Sequence, residues 1–269
     1  MKLPRPDEAV AQFGLACLHR FIAIEGTLQA TVLGAQAFTS LIPFTVVASA
    51  VAPGDSDLAD TIVERFGLEG SSARSVHQLF ASAGETQSAV TWISIVILVL
   101  SALSFTRALQ RLFQRAYGRP SAGMKQDTRR GLVWVLVFAA WLTITSPLRD
   151  WLEDLGGVVF AVTLATVTGF FVWLGTPLIL MGERDWRRLA PGAAVSGLLG
   201  ALLGVAAGIY VPIAMDWSAD KYGLIGIAFA LQSFLLVASF VVVIGAVVGA
   251  TVVERIGEVS LKGLREHVR

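Results

Sequence analysis

The chain has 269 residues, of which 55% are hydrophobic and only 15% are charged, and its formal net charge is +1. Soluble domains carry about 25% charged residues, so this chain has too little polar surface to cover itself in water. The mean hydropathy of +0.68 agrees with that exclusion. The composition therefore favours a membrane protein.

Long uncharged stretches indicate how often the chain crosses the membrane. Six of them contain no Asp, Glu, Lys, Arg or His: Gly26–Gly54, Thr86–Thr106, Gly131–Leu148, Leu155–Gly182, Leu189–Met215 and Tyr222–Val253. A helix of about 20 apolar residues crosses a bilayer, and the alternating segments of about 10 residues that mark a membrane barrel are absent from the sequence. We predict an all-α polytopic membrane protein, a single six-helix bundle over residues 1–269, with spans at about 28–51, 87–106, 131–148, 156–181, 190–214 and 223–252.

The basic residues are distributed very unevenly between the two sides that six spans define. With the N-terminus inside, four basic residues fall outside, which leaves 17 of the 21 inside; the four are Arg65, Arg74, Arg149 and Lys221. Lys and Arg near the membrane ends accumulate on the cytoplasmic side. The sequence therefore predicts a multi-pass protein of the plasma (inner) membrane with both termini cytoplasmic.

Two amphipathic segments flank the first span. Residues 7–21 carry apolar side chains at helical spacing, which predicts a helix that lies along the headgroups or packs on the bundle as a lead-in. Residues 55–85 predict an outer amphipathic segment, broken near its middle, that covers the bundle.

The first span contains polar residues and a proline in an apolar context. Gln36 and Ser40 are costly toward lipid and are expected to face other helices or a cavity. Pro43 removes one backbone hydrogen bond and is expected to bend the helix. A cavity wall and a packed kink are both consistent with this pattern.

The second span turns into a basic helix. Arg107, Arg111 and Arg115 follow one another at intervals of four residues, so they share a broad helix face. Arginine binds phosphate groups bidentately, and basic clusters near the cytoplasmic surface attract anionic lipid headgroups. The stripe is either a topological anchor alone or also a binding site for a headgroup or phosphate.

Small residues mark the last two spans. Ser196, Gly200, Gly204 and Gly208 recur at every fourth position, with Gly192 before them, which predicts a face for close helix packing, within the chain or against a second copy or another membrane partner. Gly245 and Gly249 give a second close-packing signal. Pro147 and Pro212 are expected to end the third and fifth spans.

Residues for catalysis are scarce. The three histidines and the one cysteine are scattered, and the sequence contains no HExxH, GxxxxGK[ST] or GxSxG motif. We therefore expect no enzyme activity, no metal site and no cofactor. Nucleic-acid binding is not expected either, because the basic stripe is short and lies against the membrane.

Three groups of residues carry a family resemblance. They are Ala35–Phe44 (AQAFTSLIPF), Phe105–Gly118 (FTRALQRLFQRAYG), and a dispersed set that runs from Trp186 and Pro191–Ala193 through Tyr210 and Tyr222–Gly226 to Gly245-Ala246. In their order the chain resembles the YihY/BrkB family of inner-membrane proteins, once labelled ribonuclease BN. Gln114 stands where the family usually has Asn, and the first span lacks the paired tyrosines that are usual there.

The resemblance implies a six-helix inner-membrane fold with cytoplasmic termini and no established activity. The ribonuclease label disagrees with a sequence that lacks the histidine and aspartate ligands of such a nuclease. The expected function is transport or flipping of a lipid or other anionic amphiphile. The alternative is a non-transporting membrane scaffold or complex subunit.

Overall fold

The computed structural model describes residues 6–51, 73–74, 77, 89–153 and 158–267. These ranges contain seven helices, which are α1 (Pro6–Ala23), α2 (Gly26–Val51), α3 (Ala89–Ala116), α4 (Met124–Glu153), α5 (Val158–Met181), α6 (Trp186–Tyr222) and α7 (Leu224–His267). No strand occurs in the described ranges, and the all-α prediction is confirmed for them. Nearly all of the amphipathic segment predicted at 55–85 lies outside the described residues.

Four helices are long and apolar enough to cross a membrane, within the part of the chain that the structure describes. These segments are Val96–Ala116, Val162–Met181, Trp186–Tyr222 and Ile225–Arg255. They identify a multi-pass membrane protein. The other two predicted spans lie on α2 and α4, whose side chains beyond Leu41 and Trp141 fall outside the description, so the count of six stays a prediction.

Two prolines do not end helices, contrary to the prediction. α4 continues past Pro147 to Glu153, and α6 continues past Pro212 to Tyr222. A proline removes one backbone hydrogen bond, but helices in membranes tolerate it because neighbouring groups satisfy the freed carbonyl. The chain turns instead at Gly223, whose φ of 60° is readily adopted by glycine.

The chain divides into two compact units, and α2, α3, α6 and α7 each contribute to both. The first unit comprises Met1–Ala30, Thr106–Ala201 and Phe240–Arg269, and the second comprises Thr31–Phe105 and Leu202–Ser239. The prediction of a single domain stays a prediction.

The first unit is held together by close contacts between helix backbones. Gly192 of α6 faces Gly249 of α7, where an added Cβ would lie 2.7 Å from the Gly192 Cα atom. Gly197 of α6 meets α5, and a Cβ there would lie 2.7 Å from the backbone nitrogen of Phe170. Small residues permit such approaches within lipid. The close-packing prediction for Gly245 and Gly249 is confirmed.

Helix α1 joins the first unit through its polar residues. Arg20 donates to the Ala116 carbonyl at 2.6 Å and forms an ion pair with Glu254, whereas Val10 and Ile22 are exposed. At the joint between α1 and α2, Glu25 adopts a positive φ of 56°.

The second unit has a contact of the same kind. Gly34 of α2 packs on α7, where an added Cβ would lie 3.1 Å from the Leu236 Cα atom. Val211 and Met215 of α6 are buried, with Phe234 of α7 packed against them.

Candidate anion-binding site

The last three turns of α3 have a buried face and a basic face. Thr106, Leu109 and Leu112 are almost fully buried, whereas the arginines at 107, 111 and 115 are exposed. A helix rotates by about 100° per residue, so arginines spaced by four remain on one side while the apolar residues between them face the core.

A buried glutamine fixes the rotation of α3. The Gln110 side chain is 2% exposed, and its Nε2 atom donates to the Asp127 carbonyl of α4 at 2.9 Å and to the Leu180 carbonyl of α5 at 3.5 Å. A buried amide that lost these acceptors would cost about 1–3 kcal/mol. Gln110 therefore keeps the arginine face of α3 turned outward.

A Schellman motif ends α3 and brings in a fourth arginine. The Arg119 amide donates to the Gln114 carbonyl at 2.8 Å, and the Gly118 amide donates to the Arg115 carbonyl at 3.3 Å. Gly118 has the positive φ of 61° that this motif requires, and Pro120 follows. The reversal of the chain at Gly118 places Arg119 beside the stripe.

An open groove of ≈ 430 Å³ lies at the end of α3. Its lining consists of Arg111, Gln114, Arg115, Gly118, Arg119 and Pro120. Arg107 is not part of the lining; its Nη2 atom donates to the Thr128 hydroxyl at 3.3 Å instead. The groove thus brings two of the three predicted arginines together with Arg119, which was not predicted as a binding residue.

The charge of the groove is only partly neutralised. Arg115 pairs with Glu25 at 3.3 Å, and Arg119 pairs with Glu183. Arg111 is exposed and has no hydrogen-bond or ion-pair partner among the residues that the structure describes. Three guanidinium groups and two carboxylates leave one positive charge, which suits an anion.

Gln36 and Ser40, the polar residues predicted in the first span, are absent from the lining of the groove, and their predicted place in a cavity wall stays a prediction. The Ser40 hydroxyl donates to the Gln36 carbonyl at 2.8 Å within the same helix. The Oε1 atom of Gln36 is buried without a partner in the described part of the chain. α2 is helical through Pro43, whose side chain lies outside the description, so the predicted kink stays a prediction.

The predicted glycine stripe is open. No described atom comes within 4 Å of a Cβ built at Gly200, Gly204 or Gly208. These three glycines thus take no part in packing among the described residues, whereas Gly192 and Ser196, at the other end of the predicted row, pack on α7. The role of the stripe toward a partner stays a prediction.

A larger, apolar cavity lies within the second unit. It measures ≈ 570 Å³ between α6 and α7, and Tyr210, Trp217 and Phe234 are among its aromatic lining residues. Ser218 and Ser233 add hydroxyl groups to an otherwise apolar wall. The cavity can accept a hydrocarbon group.

One comparison with known proteins gives a match. A family model described as "Virulence factor BrkB" matches residues 18–267. No curated protein and no solved structure matches the chain. Within the described residues, no group of three His, Cys, Asp or Glu side chains is placed to hold a metal ion.

Proposed function

The chain belongs to the BrkB family, and from that premise we propose that it transports or flips an anionic amphiphile, with a lipid as the first candidate. The basic groove at the end of α3 receives the anionic headgroup. The observation that carries the proposal is Arg111, an exposed guanidinium in a groove of ≈ 430 Å³ without an acidic partner in the described residues.

The energetics of the groove favour a headgroup over a structural role alone. Each basic residue near an anionic membrane surface contributes about 1 kcal/mol, and arginine adds bidentate geometry toward phosphate oxygens. Arg115 and Arg119 are already paired with carboxylates, so their contribution to binding is smaller than that of Arg111. Exposed pairs of this kind are worth only about 0–1 kcal/mol, so an arriving phosphate can replace them.

The second unit, taken by itself, contains a cavity that suits an apolar group. Aromatic side chains such as Tyr210 and Trp217 in its lining can pack against a hydrocarbon chain.

The orientation is part of the proposal. Six spans with both termini in the cytoplasm, across the plasma (inner) membrane, place 17 of the 21 basic residues inside. The single cysteine, Cys17, tests this. A membrane-impermeant maleimide should label it only after the membrane is permeabilised; labelling in intact spheroplasts would refute the orientation.

Lipid crossing tests the activity. Phosphatidylcholine vesicles that contain labelled phosphatidylglycerol are quenched from outside, with and without the reconstituted protein. We expect the protein to make the labelled lipid of the inner leaflet accessible to the quencher. The combined change Arg111→Gln, Arg115→Gln and Arg119→Gln should slow this by about fivefold or more, from a loss of about 1 kcal/mol or more.

A matched control separates the groove from net charge. The variant Arg129→Gln, Arg184→Gln and Arg187→Gln also removes three exposed arginines, none of which lines the groove. Labelled lipid should cross vesicles that contain this variant at the rate measured with the unaltered protein. Equal accessibility in vesicles with and without protein would rule out the activity.

A second candidate function is a non-transporting scaffold or complex subunit, which the open glycine stripe favours. Gly204→Leu should dissociate an isolated complex and leave the fold of the single chain intact, because no described atom lies near Gly204. An unchanged complex would remove this candidate.

A further inference from the structure

A second, smaller cavity lies within the first unit where four helices meet. It measures ≈ 180 Å³ and is lined by Tyr117 and Arg119 after α3, Met181 and Glu183 at the end of α5, Arg188 and Leu189 of α6, and Val253 of α7. Arg107, Arg111 and Arg115 do not line it, and Arg119 is the one residue that it shares with the basic groove.

The hydroxyl of Tyr117 is placed as a donor for a ligand. Its Oη atom lies over the backbones of α6 and α7, 3.0 Å from a Cβ built at Gly192, and no hydrogen-bond partner for it lies among the described residues. Burial raises the pKa of the phenol to about 12, although the nearby Arg20 guanidinium opposes the shift. The hydroxyl therefore keeps its proton at neutral pH and can donate to an anion.

The carboxylate in the wall is already satisfied. The Glu183 Oε1 atom accepts from the Arg184 amide at 3.0 Å and from the Asp185 amide at 3.4 Å, and Oε2 accepts from Arg119. Glu183 therefore neutralises Arg119 and has little capacity left for a cationic ligand.

Arg188 supplies the remaining N–H donors. Its Nε atom donates to Asp185 Oδ2 at 3.1 Å, and no partner of its two terminal nitrogens lies among the described residues. The wall has two guanidinium groups and one carboxylate, and the Asp185 carboxylate outside the wall pairs with Arg188, so the site offers an anion the unpaired terminal N–H donors of Arg188 rather than a net positive charge. Two terminal N–H groups on one planar guanidinium match two phosphate oxygens.

We propose that this cavity binds one phosphate group, free or as a phosphate monoester, through the guanidinium of Arg188 and the hydroxyl of Tyr117, with Arg119 beside it. A volume of ≈ 180 Å³ admits a phosphoryl group and excludes the chains of a lipid. Met181, Leu189 and Val253 form the apolar part of the wall and cannot hydrogen-bond a phosphate, so the phosphate is held from the side of Arg188. The site goes beyond the proposed transport, because it requires no lipid movement.

Inorganic phosphate is the probe for the test. The full-length protein, purified in a neutral detergent, is titrated with phosphate at constant ionic strength, and binding is followed by calorimetry and thermal unfolding. We expect saturable binding that Arg188→Gln weakens by about 10- to 100-fold and Tyr117→Phe by about 5-fold, since hydrogen bonds to charged groups are the stronger ones.

Arg187→Gln is the matched control. Arg187 is the neighbour of Arg188, lies over the Trp186 ring at 5.8 Å and does not line the cavity, so its loss should leave phosphate affinity unchanged. If Arg188→Gln fails to fold, Arg188→Lys is the second variant. Lysine keeps the positive charge but lacks the planar pair of terminal N–H donors, so it should still weaken phosphate binding. Absence of saturable binding, or equal affinity in the 187 and 188 variants, overturns the proposal.

A competition experiment identifies the source of the phosphate. Detergent-dispersed phosphatidic acid, a lipid phosphate monoester, should displace inorganic phosphate if the group is a lipid headgroup, and should not if it is free phosphate; either result upholds the site. Arg111 lines the groove and not this cavity, so phosphate bound in the cavity should be retained in Arg111→Gln, whereas any phosphate bound in the groove should be lost. If the protein binds phosphate but does not let lipid cross, the transport function is refuted and the phosphate site is upheld.

Discussion

The crossing of α6 and α7 in the first unit allows one substitution to be worked out in detail. Gly245 of α7 faces Ser196 of α6, and a Cβ added at Gly245 would overlap the Ser196 hydroxyl and lie 2.9 Å from its Cβ atom. Ser196 is 4% exposed, and its Cβ atom cannot move away unless the α6 backbone moves. Gly245→Ala therefore forces one of the two helices to move.

Two opposing terms set the size of the effect. Alanine in place of glycine within a helix gains about 0.5–1 kcal/mol from reduced backbone freedom. Overpacking a tight contact costs about 1–3 kcal/mol, and here the obstacle includes the Ser196 Cβ atom, which is fixed to the helix, so we take the upper part of that range. The net expectation is a loss of about 1–2 kcal/mol.

A second substitution on the facing helix isolates the cause. Ser196→Gly removes both atoms that the new methyl group meets, after which the nearest remaining atom is the Gly192 carbonyl oxygen at 3.3 Å. The double variant should recover most of the loss, with a coupling energy of about 1 kcal/mol or more between the two positions. Gly200→Ala is the control, because a methyl group there meets open space among the described residues.

Equilibrium unfolding in mixed micelles measures these free energies. Gly200→Ala should match or exceed the stability of the unaltered protein. If Gly245→Ala were as stable as Gly200→Ala, or if Ser196→Gly failed to restore it, the contact between α6 and α7 would not be the one described.

Two further predictions concern the end of α3. In a spectrophotometric titration, the protein should show a phenol with a pKa of about 12 that is absent from Tyr117→Phe. The folded state holds this proton more tightly than the unfolded chain, in which the pKa of the phenol is about 10. The free energy of unfolding should therefore fall as the pH rises from about 10 to 12. If Tyr117→Phe removed a phenol that ionises near a pKa of about 10, the burial of this residue would be contradicted. Gly118→Ala should cost about 1 kcal/mol, since the position has a φ of 61°, and should also weaken binding in the groove by displacing Arg119. Unaltered lipid crossing and unaltered unfolding in this variant would show that the turn does not set the groove.

The sequence indicated the basic face of α3 but only part of the groove. A spacing of four residues is enough to place arginines on one helix face, and the structure has Arg107, Arg111 and Arg115 exposed on that face. Arg119 was not assigned to the groove because it lies beyond the end of α3. Its position depends on the reversal of the chain at Gly118, and helical periodicity does not predict that reversal. The separation of Arg107 from the groove depends in turn on Thr128 of a neighbouring helix.

Two other differences come from contacts that local sequence does not encode. Proline was expected to end α4 and α6, but in a membrane protein the neighbouring groups decide whether the helix continues. The predicted row of small residues on α6 makes tight contacts only at Gly192 and Ser196 among the described residues, and Gly197, outside the row, makes another. Which glycines meet another helix is decided by where the helices cross.

The joint between α1 and α2 links the backbone of the chain to the charge of the groove. A left-handed conformation is unfavourable for glutamate by about 1–2 kcal/mol, whereas glycine would adopt it without strain; yet position 25 carries the carboxylate that holds Arg115. Glycine at this position would preserve the turn and raise the number of unneutralised arginines in the groove from one to two. Glu25 thus acts as a built-in counterion, and the strain at this residue accompanies its role in limiting how strongly the groove attracts anions.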